Sequence, residues 1–108
     1  VSSDRRLKED IQPTNLGLSF LNDLTPVSYK WKNKHDDVMD QRHYGLIAQD
    51  VVEVLKGHGI DSLEDFGGII HDGNEESTYH AKYDHFIPIL IKAVQELSDE
   101  VKQLKEKN

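Results

Sequence analysis

The chain contains no cysteine. That excludes a disulfide framework, a thiolate zinc site and a cysteine nucleophile, while leaving the redox compartment open. No stretch approaches the ~20 consecutive apolar residues of a membrane-spanning helix, and the N-terminus has no apolar run of the signal-peptide kind. Positive charge is the scarcer sign, with 13 Lys and Arg against 20 Asp and Glu and a net charge of −7. This argues against phosphate-backbone binding as the main activity, so neither nucleic acid nor membrane is expected as a partner. Apolar residues are also sparse: 36% of 108 residues is little for a chain that must bury a core alone. An oligomer, or a piece of something larger, fits that shortage.

Residues 1–13 are polar apart from Leu7 and Ile11, and Pro13-Thr14-Asn15 reads as a turn into a helix N-cap. Leu16, Phe20, Leu21 and Leu24 recur at helical spacing, which predicts a short helix over 15–24 that ends before Pro26. Val27, Tyr29 and Trp31 alternate with Ser28 and Lys30 as in a half-buried strand. The segment KNKHDDVMDQR at 32–42 has no period and reads as a loop or hairpin tip. Tyr44, Leu46 and Ile47 predict a second strand running into a helix with Ala48, Val51, Val52, Val54 and Leu55, ended by Gly57 as a left-handed cap. GIIHDGNEESTYHAKY predicts a β-hairpin around Asp72-Gly73-Asn74. The fold class expected is α+β, with small antiparallel β elements, short helices and a long C-terminal helix forming a trimeric coiled coil.

That last helix is the most regular part of the chain. Asp84 is its expected cap, and Pro88 falls in the first turn, where a missing N–H matters least. Ile87, Val94 and Val101 lie seven apart, with Leu90, Leu97 and Leu104 between them and Asn108 at the next equivalent place. This is a heptad seam with β-branched residues at a and leucine at d, leaning towards two strands and open to three. The alternative is an amphipathic helix packed on its own domain; QELSDEVKQLKEKN is too polar to be buried on several sides, so the stripe is expected to meet copies of itself. The organisation expected is a core over 1–83 and a coiled-coil helix over 84–108 of the same domain.

Six histidines raise a metal hypothesis, yet His71, His80 and His85 have no i, i+4 pairing and no cysteine partner, and no metal or other cofactor is expected. Gly57-His58-Gly59 and Gly67-Gly68 lack the lysine and spacing of a phosphate loop and read as turn glycines. Ser3 with Lys8 remains. A serine hydroxyl becomes nucleophilic when a base takes its proton, and a lysine serves if burial or nearby positive charge lowers its pKa; Arg5 and Arg6 are such charges. Five residues of strand separate two Cα atoms by roughly 17 Å, and on a helix i and i+5 point ~140° apart. A Ser3–Lys8 contact therefore needs a turn between them, or a lysine from a neighbouring chain.

Four stretches in this order, SDRRLKEDI at 3–11, LNDLTPVSYKWK at 21–32, RHYGLIAQDVVEVL at 42–55 and YHAKYDHFIPILIKAVQEL at 79–97, together resemble one family. It is the C-terminal intramolecular chaperone and auto-processing domain of phage tailspikes, endosialidases, tail fibres and neck appendages, with a relative inside the eukaryotic myelin regulatory factor. The resemblance spans nearly the whole chain. It implies a homotrimeric module that brings the upstream fibre or spike region of the same precursor into register and then cuts itself off, as a self-cleaving serine endopeptidase. The family's S-D-x-R-x-K motif assigns cutting to a serine-lysine dyad, here Ser3 and Lys8, with the scissile bond between Ser2 and Ser3. Val1 and Ser2 would then be the last residues of the fibre side. Asp4 and Glu9 are candidates for orienting the dyad. His43 in RHYGLIAQ is either a contributor to the site or a structural hydrogen-bonding residue. The resemblance also implies action in the host cytoplasm during phage assembly and release from the mature virion fibre. The rival readings are a non-enzymatic trimerisation module of the same fold, and the equivalent domain of a myelin-regulatory-factor-like protein.

Overall fold

The computed structural model describes residues 2–32 and 41–107. Most of the segment expected to loop over 32–42, together with Val1 and the a-position Asn108, lies outside the described residues. Among the described residues the elements run in the order 3₁₀ turn (Arg5–Leu7), α1 (Leu18–Asn22), β1 (Val27–Tyr29), β2 (His43–Gly45), α2 (Ala48–Gly57), 3₁₀ turn (Leu63–Asp65), β3 (Ile69–Ile70), β4 (His80–Ala81), 3₁₀ turn (Tyr83–His85) and α3 (Phe86–Glu106). This is an α+β architecture of two separate antiparallel strand pairs, short helices and one long C-terminal helix. β1 and β2 pair with Ser28 opposite Tyr44; β3 and β4 pair with Ile69 opposite Ala81.

The strands are shorter than the alternation suggests. Trp31 lies beyond β1, because the register ends at Tyr29 opposite His43. Leu46 and Ile47 lie beyond β2: the Leu46 amide donates to the Tyr83 hydroxyl at 3.0 Å, and Ile47 serves as the N-cap of α2. The β3–β4 hairpin forms as expected, with Gly73 at φ 89° in its loop.

Helix ends also depart from expectation. α1 begins at Leu18 rather than 15, since the Thr14 hydroxyl accepts the Leu16 amide at 3.0 Å and holds 14–16 as a turn. Gly17 is its N-cap and has no side chain to offer, so the carboxylate of Glu96 on α3 accepts the Leu18 amide at 3.1 Å. A Cβ on Gly17 would overlap that carboxylate. Gly57 is the last residue of α2, not its left-handed cap; Gly59 takes that role at φ 85°. The Ile60 amide then reaches the Leu55 carbonyl at 3.0 Å and the Gly59 amide reaches Lys56 at 3.3 Å, a Schellman closure that also lays Ile60 on the core. Asp84 does not cap α3. It sits inside the preceding 3₁₀ turn, and His85 is the N-cap, with Pro88 still in the first turn.

The core is built from Leu16, Phe20, Val51, Leu55, Phe66, Ile69, Phe86 and Ile89. Phe20 is 0% exposed and stands at the centre of an aromatic group, 6.5 Å from Phe86 and 6.3 Å from Phe66. One such buried side chain stabilises the fold by about 1.5–3 kcal/mol through burial alone. Phe86, Ile89 and Ala93 are the only buried residues of α3, so its first two turns pack on the body that precedes them. The last turns extend past that body. A compact domain of this length has a radius of gyration of about 13 Å; this one has 17.3 Å.

Candidate active site

The site is assembled by residues 3–8, in an arm with no buried residue. Asp4 adopts extended backbone (φ −69°, ψ 129°) and caps the 3₁₀ turn Arg5–Leu7, its Oδ1 accepting the Arg6 amide at 2.9 Å. The Arg6 guanidinium folds back onto the same carboxylate, with Nη2 donating to Oδ2 at 2.8 Å and Nε to Oδ1 at 3.2 Å. These side-chain bonds, then the amide bond, hold the Asp4 carboxyl below its ordinary range, and the same pairing raises Arg6. The Leu7 amide closes on the Asp4 carbonyl and the Lys8 amide on that of Arg5, each at 3.1 Å.

A 3₁₀ turn advances only ~2 Å per residue and brings every third residue into line. It draws Lys8 back over Ser3, where its Nζ donates to Ser3 Oγ at 2.8 Å. In the single chain the contact is made by the first of the two routes left open by spacing, a turn within the chain. Both side chains are exposed in the single chain. A lysine in contact with a serine hydroxyl takes the hydroxyl proton once the amine is neutral, and removal from water favours the neutral amine.

The other candidates fall in different places. Asp4 shapes the turn that joins the pair. Arg6, expected as free positive charge beside Lys8, has its charge offset by Asp4, whereas Arg5 has no ion-pair partner among the described residues. Glu9 is exposed and makes no hydrogen bond with Ser3 or Lys8 among the described residues. His43 on β2 stacks on Tyr29 with centroids 5.8 Å apart and lies 6.1 Å from Trp31. Its Nε2 is buried without a hydrogen-bond partner, so the structural hydrogen bond considered for it is not present at that atom. Among the described residues no group of three His, Asp or Glu stands close enough to hold a metal.

Two contributors went unread in the sequence. Tyr83 fills the space that a Cβ on Gly45 would need while accepting the Leu46 amide, thereby joining the start of α3 to β2. Glu96 joins the middle of α3 to α1. Neither has a local motif, since each partner is far along the chain.

α3 presents a second face. Ile87, Leu90, Val94, Leu97, Val101 and Leu104 are all 45–63% exposed. The core-facing residues Phe86, Ile89 and Ala93 lie on the adjacent flank, so the two apolar stripes of this helix do not compete. The heptad face is thus kept off the body, which answers the alternative of a helix packed wholly on its own domain.

A family model described as "Chaperone of endosialidase", a peptidase family, matches residues 3–60, more than half of the chain. None of the curated proteins matches. Among solved structures, the crystal structure of a novel intramolecular chaperone is 21% identical over 96% of this chain and 99% of that chain, with a TM-score of 0.60. At that identity the likeness concerns the fold.

Proposed function

This chain belongs to the chaperone-of-endosialidase family, and from that premise we propose that it trimerises through α3, sets an upstream fibre or spike segment of the same precursor in register, and releases itself by cutting before Ser3. The observation that carries the cutting step is the 2.8 Å contact between Lys8 Nζ and Ser3 Oγ. Neutral Lys8 accepts the Ser3 hydroxyl proton as Oγ attacks the Ser2 carbonyl carbon. The Ser2–Ser3 C–N bond breaks, and the proton passes from Lys8 to the departing Ser3 amine. The Ser2 acyl group then sits as an ester on Ser3 Oγ. Water adds, the ester C–O bond breaks, and a Ser2 carboxylate and a restored Ser3 hydroxyl remain, the released proton being taken up by the free Ser3 amine.

Registering three chains through a local helix lowers the entropic barrier to building a long intersubunit structure, because it raises effective concentration. Removing that helix afterwards makes the assembled fibre slow to unfold. Cutting is coupled to assembly in this reading: neighbouring copies supply the cover that the exposed pair lacks. The deciding experiment is mass spectrometry of a longer precursor. A fragment beginning at Ser3, absent from the Ser3→Ala and Lys8→Ala precursors, supports the reading. An uncut precursor that still forms trimers leaves a non-enzymatic trimerisation module.

A further inference from the structure

Beside the heptad face runs an apolar groove of about 730 Å³, walled by Leu21, Leu24, Val27, Tyr44, Phe86 and Leu90. Leu90 belongs to the seam and Phe86 to the core, so the groove is continuous with the seam along its g flank. On the opposite flank stands Ile91, 55% exposed, at an e position that coiled coils ordinarily fill with a charged residue.

We infer that Ile91 of one copy seats in this groove of the next copy, forming a second contact outside the seam. The inference rests on the trimer reading above. In a parallel coiled coil, a g residue faces the e residue five positions later on the neighbouring helix. Three such crossings follow from the heptad phase: Phe86 with Ile91, Ala93 with Ser98, and Glu100 with Lys105. The last pairs opposite charges, both exposed in the single chain. The first pairs two large apolar groups, at a level where the body opens a groove. The first and last crossings are matched in their chemistry, whereas Ala93, 4% exposed, is turned onto its own body. Each copy thus contributes a knob to one neighbour and a socket to the other, a head-to-tail contact that closes into a ring.

The contact fixes the angle of each body around the helical axis, which the seam alone leaves loose. The arm that carries Ser3 and Lys8 leads into that body along the chain.

The test uses this protein unaltered, with trimers reassembled from an equal mixture of ¹³C-methyl-labelled and unlabelled chains. Isotope-filtered NOEs are expected between the Ile91 methyls of one chain and the Leu24 and Val27 methyls of another. Ile91→Asp is expected to weaken association on the order of tenfold or more, while Gln95→Asp at an outward b position leaves it unchanged. A trimer with no interchain NOE from Ile91, or with equal association for Ile91→Asp and the parent, overturns this contact and leaves the seam reading standing. A parent chain that stays monomeric at every concentration overturns both.

Discussion

The Glu96 carboxylate accepts the Leu18 amide at 3.1 Å, across 78 residues of sequence, so the N-terminus of one helix is capped from the middle of another. Replacing an N-cap acceptor by alanine costs about 1 kcal/mol. Glu96→Ala is therefore expected to lower the unfolding free energy by that amount, read as a lower urea midpoint at unchanged m-value, and Glu96→Gln, which keeps an acceptor, to retain most of the stability. Gly17→Ala should do more harm, because its Cβ would displace the carboxylate. Equal stability of Glu96→Ala and the parent would show that the cap contributes nothing.

Lys8→Arg distinguishes a base from a mere cation. Arginine keeps a positive charge over Ser3 but does not give up its proton. A precursor with Lys8→Arg is expected to remain uncut on the timescale in which the parent is fully processed, a loss on the order of 100-fold or more. Normal processing of Lys8→Arg, followed by gel time course, would remove Lys8 from the role of base.

The turn that joins the pair depends on an ionised Asp4. Its folded carboxyl lies below the ordinary value of 3.8, chiefly because of the Arg6 guanidinium. The folded form thus binds its proton less readily than the unfolded form. The contribution of this turn is complete above about pH 3.8 and is lost as pH falls through the lower folded value. The Arg6 amide shift, followed by NMR, should titrate with a midpoint under 3.8. Asp4→Ala should abolish that titration and slow processing.

Val94 and Leu97 are exposed on the body's own terms, at 63% and 49%. Val94→Asp or Leu97→Asp should leave the circular dichroism of the body intact while sedimentation shifts to the monomer. The same precursors should process slowly if, as proposed, assembly supplies the cover for Ser3 and Lys8. A monomeric Val94→Asp precursor that cuts at the parent rate would uncouple the two steps.

Two glycines separated by one residue should respond oppositely. Gly59 adopts φ 85°, so Gly59→Ala is expected to cost about 1 kcal/mol. Gly57 is helical with open space around its Cα, and Gly57→Ala should gain up to about 1 kcal/mol. Matching shifts of the thermal midpoint for both would contradict the Schellman closure.

That pair also shows where the sequence was readable and where it was not. The existence of α2 followed from its apolar period, whereas its end depended on which of two glycines takes a positive φ, a choice made by Ile60 reaching the core. α3 was legible over nearly its full length, because its heptad stripe at helical spacing does not depend on distant partners; its second stripe, Phe86, Ile89 and Ala93, came only with the fold. Its cap was not legible: Asp84 is a good N-cap residue placed one step early, drawn into a 3₁₀ turn whose Tyr83 is held at Leu46. The strands were shortened by the same tyrosine and by a register that runs out at Tyr29. At the site, the resemblance named Ser3 and Lys8, but the means of joining them lay in Asp4, an N-cap residue two positions before the arginine that grips it. Both arginines look alike as charges, and only the fold separates Arg6, which is paired, from Arg5.

The arm forms its turn, its cap and its Ser3–Lys8 contact from residues within a few positions of one another, and synthesis of the chain makes this matter in time. Translation at ~5–20 residues per second delivers Phe86, the first residue of α3, roughly ten seconds after the arm has emerged. The Ser3–Lys8 contact is therefore in place long before the heptad face exists. If release waits for company, the delay is kept by the water around the pair and not by any distance within it.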